Sequence, residues 1–279
     1  MTRLSSQQLS QFDAFGYMGF PGLLADKAQA IIDAFEAVWV RHGGGHDGKP
    51  HDEKARSVVV QFLDQSEYLS TLLDDPRIHD IAASILGDDF NYMGSDGNFY
   101  VGDTKWHSDG YGGRGGLKHI KIAFYLDPLT RDTGALRVIP GSHRVGDHFS
   151  DQLEREVKKC DESWGIPGSQ VPAIALETKP GDILVFNHDI KHSAWGGSTR
   201  RRMFTMNCCQ RYPDDKLPAL RDYLAGGSRF LIERSYDNTV VRTASPERMV
   251  HLEQVLANDG HLAELSAKRR LEMAEPARG

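Results

Sequence analysis

The sequence has no long hydrophobic run. No apolar stretch approaches the roughly 20 residues needed to cross a bilayer. The opening MTRLSSQQLSQFDAFGYMGF holds neither a continuous apolar segment nor a small-residue cleavage site, so no secretory signal is expected. Cysteine is scarce: Cys160, Cys208 and Cys209 are the only three, two of them adjacent. They cannot make a disulfide framework, and a reducing cytoplasm is the expected setting. Basic charge is not in excess either. Lys and Arg number 33 against 39 acidic residues, a formal charge of −6 over 279 residues, which argues against a nucleic-acid partner. Internal repeats and linkers are missing, so one domain over 1–279 is expected, acting on a small molecule with no membrane partner. The oligomeric state leaves no mark in the sequence.

Helical spacing marks residues 5–15, where Leu9, Phe12 and Phe15 share a face, and residues 26–41, with Ile31, Ile32, Phe35 and Val38. The segment 42-HGGGHDGKPHDE-53 reads as a loop, and its histidines as solvated rather than metal-binding. A further helix is expected over about 66–86, ending at Gly87. From Phe90 the pattern changes to short apolar or alternating runs between turn residues, at 97–102, 118–127, 135–140, 172–177, 182–187 and 201–209. Such spacing predicts a sandwich or barrel rather than alternating βα units. Residues 147–163 are a helix-prone insertion, and 246–274 one or two polar helices broken near Asn258-Asp259-Gly260. The expected order is helices over 1–89, a β core over 90–210, and a helical segment over 211–279.

The chemistry starts at 104-TKWHSDGYGG-113. Residues two apart on a strand project from one side, so His107 and Asp109 can converge as two metal ligands before a flexible glycine exit. A partner is found downstream in 180-PGDILVFNHDIKH-192, where an apolar strand runs into His188 and His192. Their i, i+4 spacing on a helix would suit a zinc protease. This segment instead follows a strand and carries Asp189 where that motif needs its catalytic Glu. One of the two histidines is therefore expected to join His107 and Asp109. Two histidines and one carboxylate on one face of a metal leave the opposite face open, which is the donor set of a non-haem iron(II) oxygenase.

Four stretches, 106-WHSDG-110, 124-FYLDPLTRDTGALRVIPGSHR-144, 180-PGDILVFNHDIKH-192 and the arginine-led strand after it, make the chain resemble the phytanoyl-CoA dioxygenase family of iron(II)- and 2-oxoglutarate-dependent oxygenases. The second stretch is the most specific, and the likeness runs from Phe15 to about Cys209. The resemblance implies a mainly β fold with flanking helices, a double-stranded β-helix (jelly-roll, cupin-like) barrel with the metal in its mouth. It also implies iron(II), 2-oxoglutarate and O2 as cofactor and cosubstrates. His107 and Asp109 match the family's His-x-Asp and His192 its distal ligand, with His143 assigned to a structural turn. The family's cosubstrate-binding arginine lies about ten or eleven residues after the distal histidine. Arg201 is nine on and Arg202 ten, and strand alternation leaves both open. If Arg201 points inward, so do Met203, Thr205 and Asn207; if Arg202 does, Phe204 and Met206 line the pocket. Thr104 stands where relatives place a residue bonding the cosubstrate. Trp106 and Trp195 read as core or pocket wall.

The implied activity is hydroxylation of an unactivated C–H bond of a small metabolite, with release of succinate and CO2. The presence of Asp109 favours this, or a desaturation or ring closure, over halogenation, because related halogenases replace that carboxylate by a small residue. The competing reading is a metal-binding cupin-like barrel without oxygenase activity, a sensing module or an isomerase. Arginines after the distal histidine speak against it. Asn98, Tyr100, Tyr111 and Arg114 are expected near the substrate. The acidic chain shows no basic funnel for coenzyme A, which points to a small polar metabolite.

Overall fold

The computed structural model describes residues 3–279. Ten strands form two antiparallel sheets: β1 (Tyr17–Phe20), β2 (Ser57–Val60), β3 (Asn91–Tyr100), β4 (Thr104–His107), β5 (His119–Tyr125), β6 (Leu136–Val138), β7 (Ile174–Leu176), β8 (Ile183–Asn187), β9 (His192–Ala194) and β10 (Arg201–Cys209). The larger sheet has the order β1-β8-β5-β10-β3-β2, and the smaller β4-β9-β6-β7. This is the jelly-roll expected from the strand pattern, two antiparallel sheets facing each other across a cavity.

Period-two alternation decides which side chains meet the helices and which meet the cavity. On β10, Phe204 and Met206 are buried in the main apolar cluster. The Phe204 ring stacks on Phe124 at 4.3 Å and lies within 6.4 Å of Phe35 from the helix Ala28–Arg41. Arg201, Met203, Thr205 and Asn207 face the cavity. That cluster runs from Leu4 to Val255, joining the front helices, the sheet and the rear helices. Gly97 on β3 is required by a close approach: a Cβ there would sit 2.1 Å from the Phe62 ring. The insertion forms the helices His148–Glu156 and Cys160–Trp164. It covers the small sheet through Leu153, Val157 and Cys160 against Trp106 and Ile139.

Several boundaries differ from the sequence expectation. The helix expected over 66–86 is broken into Glu67–Ser70, a 3-10 turn at Thr71–Asp74, and Pro76–Leu86. Pro76 is the cause: it cannot continue a helix, and it forces Asp75 into an extended conformation where its carboxylate caps the N–H of Arg77. Strands β1 and β2 arise inside the segment expected to be helical, and β3 starts six residues before 97. Its extra part, NYMGSD, is rich in poor strand formers, and pairing with β10 overrides that propensity. The loop histidines are not solvated. His46 is buried and bonds Val58 O and Pro276 O; His51 bonds Ser57 Oγ and Thr199 O.

Asp64, only 4 % exposed, gives a pH test of this packing. Burial pushes its pKa up from 3.8 to about 7. Below about pH 4 it is protonated folded or unfolded; through the window up to about 7 only the unfolded chain loses the proton, so stability falls with rising pH. Asp64→Asn keeps the oxygen that accepts from Val240 N–H and removes the charge. It is expected to melt higher than the parent near pH 8, by at most about 4 kcal/mol, and equally near pH 4. Equal melting at both pH values would show that the buried carboxylate costs nothing.

Candidate metal centre

His107 ends β4 and His192 opens β9, and the two are cross-strand partners. Their rings lie 4.2 Å apart, centroid to centroid. Asp109, two residues past the end of β4, is tied back by its N–H donating to His188 O at 2.8 Å. Its Oδ1 sits 3.8 Å from His107 Nε2 and 3.9 Å from His192 Nε2. The three are the one such cluster of potential metal ligands among the described residues. His107 Nδ1 bonds Lys105 O at 2.8 Å and His192 Nδ1 bonds Ile190 O at 3.0 Å. A carbonyl can only accept, so both rings carry a proton on Nδ1 and turn Nε2, the atom a metal would take, toward Asp109.

Electrostatics prepare the same state. Burial, then His107, push the His192 pKa down to about 3, so its imidazole stays neutral. Burial opposes ionisation of Asp109, but Lys121 and the imidazoles of His192, His188 and His107 outweigh it and hold the carboxyl well below its usual range. Lys121 on β5 is a residue the sequence reading missed. Its Nζ is 2.8 Å from Asp109 Oδ2, off the line of a hydrogen bond, which leaves Oδ1 to face the histidines. A visible signal existed: a lysine at an inward position of an otherwise apolar strand, HIKIAFY.

The two arginines stand on opposite faces of β10. Arg201 is 3 % exposed and lines the cavity. Its guanidinium lies over the Tyr100 ring at 5.3 Å and donates to Gly102 O at 3.2 Å. Gly134 and Gly197 make room for it, since a Cβ at either would come within 2.2 Å of Nη1. No carboxylate of the described residues pairs with it. Arg202 points the other way: Nε is 2.9 Å and Nη2 2.6 Å from Asp127, and Nη1 is 2.9 Å from Glu36. It therefore cannot serve the cavity. Thr104 lines the cavity with Arg201.

The cavity holds about 640 Å³ and continues from the histidines to the rear helices. Tyr100 and Arg114 line it as expected. Tyr111 does not; its ring lies under Lys191 Nζ at 3.5 Å and its hydroxyl donates to Asp151. Asn98 is spent on Asp96 and Arg56, accepting from Arg56 Nε at 2.8 Å. Trp106 donates to Gly168 O and Trp195 to Ser193 Oγ, and both pack in the apolar cluster under the insertion rather than on the cavity wall. His143 packs against Gly16, away from the cluster. The cavity does not share the acidic balance of the chain: five basic side chains, Arg56, Arg114, Lys121, Arg201 and Arg229, line it against the carboxylates of Asp96 and Asp109. Net charge averages over the surface and does not report the lining.

The family model described as phytanoyl-CoA dioxygenase matches residues 12–203. An ectoine dioxygenase of Sphingopyxis alaskensis is 25 % identical over 223 residues, 70 % of this chain and 72 % of the relative. The ectoine dioxygenase of Bordetella bronchiseptica is 23 % identical over 219 residues, covering 68 % and 70 %. Among solved structures, the non-haem alpha-ketoglutarate-dependent carbocyclase SnoK from nogalamycin biosynthesis superposes with a TM-score of 0.58 at 22 % identity, covering 74 % of this chain and 84 % of that one. HygX from Streptomyces hygroscopicus, solved with nickel and 2-oxoglutarate bound, gives 0.58 at 16 % identity over 75 % and 88 %.

Proposed function

The chain belongs to the phytanoyl-CoA dioxygenase family, and from that premise we propose that it works as one catalytic unit hydroxylating an unactivated C–H bond of a small metabolite. It is a non-haem iron(II)- and 2-oxoglutarate-dependent dioxygenase that uses O2. In this reading His107, Asp109 and His192 hold the iron, and Arg201 holds the distal carboxylate of 2-oxoglutarate, with Thr104 beside it. The observation that carries the reading is the pairing of two features in one cavity: two imidazoles and a carboxylate with their ligand atoms converging, and a buried arginine with no carboxylate of its own. The first fits a 2-His-1-carboxylate iron site. The second fits a carboxylate that arrives with a ligand, because a guanidinium matches it bidentately and keeps its charge at neutral pH.

Iron bound there supplies the activation of dioxygen coupled to decarboxylation of 2-oxoglutarate to succinate and CO2. The chain supplies position. Lys121 holds one oxygen of Asp109 so that the other faces the metal. The Nδ1 bonds of His107 and His192 fix ring orientation, and the apolar walls Leu136, Phe186 and Met203 keep water from the reacting atoms. The test is succinate release from 2-oxoglutarate under air, screened over candidate metabolites. One compound is expected to raise succinate release in step with its own oxidation. Full 2-oxoglutarate independence of the observed oxidation would sink the proposal.

Asp109→Gly is expected to be inactive rather than a halogenase. It opens a metal position to chloride, but it also strips Lys121 of its partner and leaves a buried ammonium beside the metal. Nor does it move the substrate hydrogen toward a halide. Mass spectrometry of products formed in chloride checks this, and efficient chlorination would show the positioning argument to be mistaken.

A further inference from the structure

His188 is a buried imidazole that the metal centre does not use. It is 3 % exposed and lines the cavity, yet neither ring nitrogen has a hydrogen-bond partner. His46, His119, His192 and His251 each bond at least one ring nitrogen, and His143, whose Nδ1 is also unpaired, lies outside the cavity against Gly16. The ring is not loose. Its main chain is pinned on both sides, N–H donating to His119 O at 3.0 Å and C=O accepting from Asp109 N–H at 2.8 Å. Holding an unpaired polar ring rigidly in a buried place costs stability unless something enters to pair with it.

What enters is constrained by charge. The cations that bear on His188 are Lys121 and Arg114, both cavity-lining, with Arg229 on the exposed rim. In a chain of net charge −6, the lining carries five basic side chains and two acidic ones. Iron(II) and 2-oxoglutarate cancel each other's charge, Arg201 is spent on the latter, Arg56 pairs with Asp96 and Lys121 with Asp109, so Arg114 and Arg229 are the lining cations left for the organic substrate.

We propose that His188 is a substrate-binding residue, donating a ring N–H to an anionic group, carboxylate or phosphate, on the organic substrate, with Arg114 supplying the nearby positive charge. The assignment rests on the iron and 2-oxoglutarate reading of the neighbouring site. It makes the substrate a small organic acid or phosphate ester, with the oxidised carbon toward the iron and the anion toward the rear helices.

The experiment uses the full chain loaded anaerobically with iron(II) and 2-oxoglutarate. 2-Oxoglutarate binding is measured first, by the visible absorption of the complex. Phenylacetate, octanoate and phenyl phosphate are then titrated against their neutral counterparts phenylacetamide, octanamide and phenol, in the parent, His188→Phe and His188→Gln. In the parent, at least one anion is expected to bind about tenfold or more tighter than its neutral counterpart, the value of a charge-assisted hydrogen bond. His188→Phe should lose most of that preference and His188→Gln keep part of it. Both variants should hold iron and 2-oxoglutarate within about twofold, and His188→Phe should melt no lower, because no existing bond is removed. Which anion wins separates carboxylate from phosphate. No anion preference in the parent, or one that survives in His188→Phe, overturns the proposal and leaves the ring to water. Loss of iron from both variants also overturns it, by making His188 a ligand. Failure of the parent to bind 2-oxoglutarate is a separate result, and it removes the reading beneath.

Discussion

His192→Ala is expected to abolish turnover and to weaken iron(II) binding by well over about a hundredfold, since even a residue that only supports a ligand is worth about 10–100-fold in metal affinity. His107→Ala and Asp109→Ala should do the same, because each leaves two protein ligands. The fold should survive, as His107 and His192 each make a single side-chain hydrogen bond, to a carbonyl two residues away in its own strand region. His188→Ala is the internal control. It lies four residues from His192 and lines the same cavity, but its ring nitrogens are not part of the converging cluster, so metal binding should persist. Anaerobic titration with iron(II), alongside melting of the metal-free protein, separates ligand loss from unfolding. Metal binding retained in His192→Ala and lost in His188→Ala would reverse the assignment.

Arg201→Ala is expected to raise the KM for 2-oxoglutarate by roughly a hundred- to thousandfold, while that for the organic substrate moves far less. Breaking a buried charge pair costs about 3–5 kcal/mol, much of it from the partner left unpaired. Arg201→Lys should recover only part of the loss, because an ammonium restores charge but not the two-pronged fork. Arg202→Ala should behave in the opposite way. Its guanidinium ties Asp127 to Glu36 on the far face of the strand, so 2-oxoglutarate dependence should be unchanged while melting falls modestly, within the range of partly exposed pairs. Initial rates at varied 2-oxoglutarate with each variant decide it. Should Arg202→Ala carry the 2-oxoglutarate effect, the register of β10 would be wrong by one residue.

The sequence alone determined the jelly-roll and the family, and it picked out His107, Asp109 and His192, which the fold brings together. His-x-Asp is a local spacing, and a downstream strand ending in a histidine is also a local pattern, so both survive being read along one chain. The same holds for the short strands between turn residues, whose period of two is a property of each strand by itself. Within the front helices the helix expected over 66–86 is interrupted because Pro76 holds the residue before it, Asp75, out of the helical conformation. Strands β1 and β2 were not legible for a different reason. They are four residues each, and only their partners β8 and β3 make them strands.

What the tertiary structure alone decided are the choices between two local alternatives of equal merit. A strand's alternation fixes which residues share a face but not which face is inside. For Arg201 against Arg202 that was settled by residues far away in sequence: Glu36 and Asp127 hold one guanidinium outside, and Gly134 and Gly197 clear a slot for the other. The charge of the cavity is of the same kind. Arg56, Lys121 and Arg229 come from β5 and from segments beside β2 and the rear helices, within an acidic chain. No window of sequence contains them together, because a cavity is lined by side chains that only the meeting of two sheets and a helical cover brings to one place.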